Sequence, residues 1–397
     1  MVKRVVRIQL PAKKLFVDLT VLAKNLYNSA TYLVRQTFFE TGKILRYYSI
    51  WNKMREKEEY LKFKNLAGSQ TPQQLLRMVE ATWEGYKEAK KDWRINPEKY
   101  LGKPKIPGYL SKNGRFIVVW SKQRVRIRKG AIRIVERLMK EGFPAIHIKK
   151  LPVTEANIAI VRLKPFFDKF KLEFVYEKEV PAIKIKEVQK ILGLDLGINN
   201  LVATSDGLLI KGGVVKSINQ FFNKQKAKIQ ALLSKQGLKT SERKQQLMRW
   251  RYNQLHDLFH KTSRAIIQHC LENNISPLVI GRNKNWKQNI RMGRKTNQKF
   301  TNVPFHKLIK MMQYKAEEQG IEVTLITEEY TSQTCSSCGY RSRSNHKYRG
   351  LFVCKKCKLV INADVNAARN IAKKAFPESI LGIGDSGCVA QPTKLAL

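Results

Sequence analysis

Two cysteine pairs constrain what this chain can fold into more than any other feature. Two residues separate Cys335 from Cys338 and Cys354 from Cys357, and 15 residues separate the pairs. Two knuckles at that spacing suit one tetrahedral four-thiolate zinc site. The competing readings are disulfides or four unrelated thiols. Four thiolates leave no open coordination position, so such a zinc is structural and not catalytic. The stretch between the pairs carries Arg341, Arg343, Lys347 and Arg349 with Tyr340 and Tyr348. Cations interleaved with aromatics can hold a phosphate backbone and stack bases. An ordinary solvated loop would have the same composition. Cys270 falls in a helical pattern and reads as a core thiol, while Cys388 has no evident partner.

Charge narrows the class of partner. The 397 residues hold 76 Lys+Arg against 31 Asp+Glu, a formal net charge of +45. A chain so charged repels itself unless something neutralises it. Nucleic acid, an anionic membrane surface or an acidic protein could do so. The basic residues run from Lys3 to Lys394 and are not confined to one tail or helix. That favours a long polyanion spread over several domains, bound less tightly as salt rises. Apolar residues make up 43%, enough for packed cores. No run nears 18 apolar residues, so no membrane span is expected. The start, MVKRVVR, has charges within its apolar stretch and no cleavage site after it, unlike a signal peptide. A cytoplasmic protein with reduced thiols is expected.

The order of elements gives the architecture. Residues 1–10 alternate as a strand, and the pattern is helical from about Lys14 to Asp92. Within it, Thr71 reads as an N-cap with Pro72 at the first helical position. Lys103-Pro104-Lys105-Ile106-Pro107-Gly108 breaks the helix. Six short strand-like pieces follow between residues 116 and 176, as in a small barrel with a helical insertion after its first strand. From Ile191 the pattern is three strands (ILGLDLG, NNLVATSDG, LLIKGGVV), then a long helical stretch from about Ser217 to Asn273. A strand (PLVIG), a helix from Val303, a strand (IEVTLIT), the cysteine block and a last helix (ADVNAARNIAKKAF) complete it. That is the order of an RNase H-like α/β fold. The tail after Pro377, rich in small residues, reads as mobile.

Two acids stand out. Asp195 ends an apolar strand, where a carboxylate is costly unless metal or hydrogen bonds satisfy it. A structural Asp capping a turn is the alternative. Asp364 opens the last helix and could be an ordinary N-cap. Two acids meeting across a fold can hold divalent metal for phosphodiester hydrolysis.

GLDLGINNLVATSDG, the helix segment DLFHKTSR (257–264), YTSQTCSSCG (330–339) and ADVNAARNI together resemble the TnpB family. These are transposon-encoded RNA-guided nucleases related to the compact type V CRISPR effectors. The likeness runs from about Ile191 to Phe376; the N-terminal half matches in layout alone. The resemblance implies a wedge barrel (1–12 and 105–185) with a helical recognition insert at 13–104. It implies a RuvC nuclease domain at 186–334, completed by a final helix at 359–376 and interrupted by a zinc ribbon at 335–358, with a flexible tail at 377–397. It also implies a guide RNA, a target DNA read beside a short adjacent motif, catalytic Mg2+, structural Zn2+ and a place at the nucleoid of a prokaryote. Asp195 then matches the first RuvC acid and Asp364 the third.

The second acid departs from the pattern. Members of the family usually carry Glu at the end of the fourth RuvC strand, where this chain has Gly281. Glu328 and Glu329 lie at the end of the next strand. Some family members similarly pair a GxNKxWKQ fourth strand with a Glu-Glu pair ahead of YTS. Adjacent strands lie about 4.8 Å apart, so a glutamate on the fifth can reach the same metals. The resemblance favours Glu328 as the relocated acid, with Glu329 second. Two solvated acids at a strand end are the alternative. A nuclease-dead RNA-guided repressor, a compact type V CRISPR effector and a non-guided enzyme such as a resolvase stay open as functions, and the oligomeric state, monomer or dimer, stays open too.

Overall fold

The computed structural model describes residues 1–128, 130–147, 151–154, 156–181, 190–282, 293, 297–298, 301–348, 350–377 and 393–395. These form two compact units, Met1–Glu179 and Val180–Leu397.

The first unit begins with β1 (Val2–Leu10) and four helices, α1 (Lys14–Thr41), α2 (Tyr47–Met54), α3 (Glu58–Ala67) and α4 (Gln70–Ile95). On α1, Leu19, Ala23, Leu26, Ala30 and Val34 are buried, a three-and-four spacing that lays one face on the core. The helix stops at Gly42, whose φ of 69° lets its N–H reach Phe38 O at 2.9 Å. Thr71 is not the cap of α4. It lies inside the first turn, and its Oγ1 donates to Ala67 O at 2.8 Å, because the chain is already helical at Ser69. After the helices come β2 (Val118–Ser121), β3 (Val125–Arg128), β4 (Ala131–Ile134), α5 (Glu136–Lys140), β5 (Ile146–His147), β6 (Ile158–Phe166) and β7 (Lys169–Lys178). They build an antiparallel sheet in the order β1-β7-β6-β2 and a three-stranded sheet β3-β4-β5. β1 pairs along its whole length with β7, from Val2↔Lys178 to Leu10↔Phe170. Among the described residues no ladder joins the two sheets into a closed barrel.

The second unit contains β8 (Lys190–Asp195), β9 (Asn200–Thr204), β10 (Leu209–Lys211), α6 (Gly213–Lys235), α7 (Glu242–Glu272), β11 (Ile275–Gly281), α8 (Phe305–Glu318), β12 (Val323–Ile326), β13 (His346–Tyr348), β14 (Leu351–Val353), β15 (Val360–Asn362), α9 (Ala363–Ala375) and β16 (Lys394–Leu395). Its main sheet has the order β12-β11-β8-β9-β10-β16. β8, β9 and β10 form an antiparallel meander, and β11 and β12 add parallel on the other side of β8. That is the mixed α/β layout expected from the element order. The single long helix expected from Ser217 to Asn273 is two, because Gly237 at φ 66° ends α6 and Ser241 caps α7, its Oγ accepting from Lys244 N. The third strand is shorter than its pattern: β10 ends at Lys211, and Gly213-Val214-Val215 begins α6. Most of the tail lies outside the described residues, but β16 forms an edge strand on β10, and Leu209 N donates to Thr393 O just before it at 2.8 Å. No described helix is long and apolar enough to cross a membrane.

Candidate functional site

One glycine sets the geometry of the carboxylates. A Cβ added to Gly193 in β8 would lie 2.1 Å from Ala368 O and 3.0 Å from Ala372 Cβ. Only the absence of a side chain lets α9 lie directly on the strand. Asp195 is two residues on from Gly193 and so on the same face of the strand. Asp364 is one helical turn before Ala368. The close contact therefore aims the start of α9 at the end of β8 and brings the first and third acids together. Asp364 is not the helix cap: Asn362 takes that place, its Oδ1 accepting from Asp364 N at 3.0 Å and Val365 N at 3.2 Å. Asp364 sits in the first turn with Asn200 Nδ2 donating to its Oδ2 at 2.7 Å.

Gly281 sets the third carboxylate. Its neighbour Ile280 pairs with Leu194, so Gly281 stands beside Asp195 on the adjacent strand. A Cβ on Gly281 would meet Glu328 Cγ at 2.6 Å, Glu328 Oε1 at 2.7 Å and Ile371 Cδ1 at 2.6 Å. The Glu328 side chain thus fills the space that a residue at 281 would take. It arrives from two residues beyond β12, whose Ile326 pairs with Gly281. Glu329 turns the other way, is exposed, and lines a separate cavity of about 370 Å³ with Tyr330, Ser337 and Lys373.

The electrostatics agree with Asp364 and Glu328 both lying near Asp195. Burial raises the Asp195 carboxyl well above its ordinary range, and the charges of Asp364 and then Glu328 push it further up. Burial lifts Glu328 to about 7. Acids that resist ionisation together are the natural ligands of a divalent cation, which relieves both desolvation and repulsion. The carboxylates are held less tightly than the cysteines: among the described residues no three carboxylates have oxygens within 4.8 Å of one another. Asp257, Glu272, Glu317 and Glu318 lie on α7 and α8, and Glu322 precedes β12, so none is at the carboxyl end of a strand.

The cysteines meet that distance, with the four Sγ atoms of Cys335, Cys338, Cys354 and Cys357 within 4.8 Å of one another. Cys335 and Cys357 are 3.6 Å apart, Cys338 and Cys354 3.5 Å. A tetrahedron with Zn–S bonds of about 2.3 Å has edges of about 3.8 Å, whereas a disulfide needs about 2.05 Å. The geometry fits zinc and excludes the disulfide reading. Burial pushes the Cys335 thiol up to about 12, while the backbone N–H of Tyr340 pulls Cys338 down to about 7. Each knuckle turns on a positive φ just after its second cysteine, 72° at Gly339 and 60° at Lys358.

Of the basic and aromatic residues between the pairs, Arg343, Lys347 and Tyr348 are exposed, Tyr348 at 76%. Arg341 is already engaged, its guanidinium 3.2 Å from the Tyr330 ring centroid. Arg349 lies outside the described residues, as does Cys388. Cys270 is a buried core thiol.

The sequence reading missed a row of amides. Asn362, Asn366 and Asn370 are four apart on one face of α9. Asn366 accepts from Ser336 N at 2.9 Å and donates to Thr334 O at 2.8 Å. Asn370 donates to Thr331 O at 2.8 Å and Thr334 O at 2.7 Å, and Lys373 Nζ donates to Ser336 O at 2.5 Å. The first knuckle is therefore fastened to the helix that bears Asp364. Repeated amides in an alanine-rich helix were the available signal.

Comparison with known proteins follows the same two halves. The model for probable transposases of the OrfB_IS605 type matches residues 173–287, which include Asp195 and Gly281. The Cas12f1-like TNB domain model matches residues 305–371, which include Glu328, the cysteines and Asp364. Over about half of its length the chain is similar to TnpB-like and Cas12f proteins. The CRISPR-associated endodeoxyribonuclease Cas12f2 of Micrarchaeota archaeon (strain CG1_02_47_40) is 32% identical over 225 residues, 52% of this chain and 40% of that protein. The TnpB-like protein MJ0751 of Methanocaldococcus jannaschii is 26% identical over 221 residues, 52% of this chain and 79% of that protein. Among solved structures, the mini-RNA-guided endonuclease CRISPR-Cas_phi3 aligns with 94% of this chain and 92% of its own at 13% identity, with a TM-score of 0.47. The chain spans about half the length of its Cas12f relatives, 40% of one and 53% of another.

Proposed function

We propose that this chain is an RNA-guided, magnesium-dependent DNA endonuclease of the RuvC type. The observation that carries the reading is Glu328 filling the space over Gly281, beside Asp195 and Asp364. A missing second acid is the main argument for a nuclease-dead repressor, and the place of Glu328 supports the nuclease reading instead. Asp195, Glu328 and Asp364 are the residues that would hold Mg2+, with Glu329 outside the set. When bound, the cations supply an activated water and stabilise the leaving oxygen of a phosphodiester. The chain's own part is to keep three carboxylates converging in a half-buried place at the sheet end.

Cys335, Cys338, Cys354 and Cys357 would hold one structural Zn2+. Arg343, Lys347 and Tyr348, with Arg341 and Arg349, form the nucleic-acid face of that ribbon in this reading. We assign the partners as a guide RNA and a target DNA, supported by the net charge of +45 and by relatives named as CRISPR-associated endodeoxyribonucleases. Residues 1–12 and 105–185 are assigned to a wedge barrel and 13–104 to a helical recognition insert. Residues 186–334 and 359–376 are assigned to the nuclease, 335–358 to the zinc ribbon and 377–397 to the tail, in a cytoplasmic, nucleoid-associated protein.

The test is cleavage of a plasmid carrying a guide-matched site by the protein purified with its RNA. Cutting should require Mg2+ and the guide. Guide-dependent binding without cutting would transfer the reading to a repressor; cutting without RNA would transfer it to a non-guided nuclease.

A further inference from the structure

The carboxamide of Asn200 is 6% exposed and has one hydrogen bond, the donation of Nδ2 to Asp364 Oδ2 at 2.7 Å. Its other polar atom, Oδ1, is buried without a partner among the described residues. The orientation is fixed by chemistry, since an ionised carboxylate only accepts and must face the NH2 end of the amide. Oδ1 is therefore the end left over. A buried acceptor without a donor costs free energy, and in native chains it marks strain, a functional role, or a place for a water or an ion.

The surroundings make this placement rigid. Asn200 begins β9, one residue after Asn199, whose side chain accepts from Lys216 Nζ at 2.5 Å and whose backbone O accepts from Gly212 N at 2.8 Å. A Cβ on Gly212 would lie 2.1 Å from Ile198 O, and one on Gly197 would lie 2.8 Å from Asn200 O. The turn between β8 and β9 is thus closed on two sides by glycines. Of its two asparagines, one faces out to a lysine and the other in to the third acid.

We propose that Asn200 is a further residue of the cation site, one that fixes the Asp364 carboxylate through Nδ2 and offers Oδ1 to a hydrated divalent cation. It is a positioning residue in its first role and a binding residue in its second. This rests on the reading of the three acids as a metal site. An amide suits the second role: its carbonyl is an oxygen ligand or water acceptor that adds no charge to a site already strained by three carboxylates. Partners that orient a ligating carboxylate typically govern metal affinity by 10–100-fold.

The test is a Mn2+ titration of the RNA-loaded protein followed by electron paramagnetic resonance, with the Asp195→Asn/Asp364→Asn double variant as background for ions held elsewhere. The wild type should bind Mn2+ above that background. Asn200→Ala should weaken it by about 10–100-fold and raise the Mg2+ needed for half-maximal cutting by a similar factor, with cutting largely recovered at saturating Mg2+. Asn200→Asp, of the same shape and with an acceptor, should bind Mn2+ more tightly than Asn200→Ala. Wild-type affinity in Asn200→Ala would overturn the proposal and leave the three-acid reading standing. So would an Asn200→Asp variant that folds and binds no better than Asn200→Ala. A wild type no better than the double variant would overturn both.

Discussion

The cysteine centre and the carboxylate centre are assembled in opposite ways. The four thiols come from two short loops within 23 residues, and each pair is closed by its own turn. The three acids come from positions 195, 328 and 364 and meet only because a parallel sheet and a closely packed helix bring them together. The first centre is local and tight; the second is made by tertiary structure and strained by its own charge. The row of asparagines on α9 is where the local centre supports the assembled one.

The largest expected effect is on the assembled centre. Asp195→Ala, Asp364→Ala or Glu328→Gln should each lower cleavage by more than about 10³-fold, beyond what losing one oxyanion donor costs, while guided DNA binding persists. Glu329→Gln should stay near wild type. Plasmid cleavage and a gel-shift assay read the two properties apart, and normal cutting by Glu328→Gln would return the second acid to an unknown place.

Next comes the local centre. Elemental analysis should find one zinc per chain. Cys335→Ala should lose it, and with it the folding free energy of the ribbon, of order 10 kcal/mol for zinc modules in isolation. If the asparagine row couples the centres, this variant should also lose cutting. A zinc-free protein that cuts normally would uncouple them.

Gly281 offers a sharper probe. Gly281→Ala should cost about 1–3 kcal/mol by overpacking against Glu328 and Ile371 and should impair cutting. Pairing it with Glu328→Ala should recover stability but not cleavage. Gly281→Glu with Glu328→Ala should regain part of the cleavage, because a carboxylate again occupies the same space.

Strain in the acid cluster predicts a pH dependence. The Glu328 carboxyl is raised to about 7 and Asp195 is raised as well. Between the ordinary carboxylate range and those raised values, the folded metal-free chain keeps protons that the unfolded chain has released. Stability in a chelator should therefore fall as pH rises toward about 7, by roughly 3 kcal/mol for Glu328. Added Mg2+ should flatten the curve. Thermal unfolding across that range decides it, and a metal-free protein that gains stability with pH would contradict a shared carboxylate site.

The smallest effect belongs to the second knuckle. Gly339 takes its positive φ freely, whereas Lys358 takes the same turn with a side chain. Lys358→Gly should stabilise the zinc-loaded ribbon by up to about 1 kcal/mol, measurable as slower zinc release to a chelator.

What the sequence revealed follows the same contrast. The cysteine spacing named four ligands outright, because local pairs determine a local site. The strand pattern around Asp195 and the element order pointed to the mixed sheet of the second unit, since apolar runs and turns report directly on a buried sheet. For the second acid the resemblance favoured Glu328, with Glu329 second. That the Glu328 side chain lies against Gly281 is a tertiary fact no local pattern shows. The Thr71 cap and the unbroken helix after Ser217 failed for a different reason. Cap signals and turn signals are weak beside the packing that decides where a helix stops. Asn200 was quoted within its motif but passed over, because an amide shows its use only when its partner is known.

The asparagine row also bears on how this molecule can be cut and rejoined. Asn366, Asn370 and Lys373 grip the backbone of 331–336 from a helix that lies outside the cysteine block. A chimera that borrows residues 335–358 alone sets a foreign loop against those amides. One that borrows 327–375 brings its own latch, together with Glu328 and Asp364. The transplantable piece is thus defined by side chains that bind no metal, and it extends well past the last cysteine.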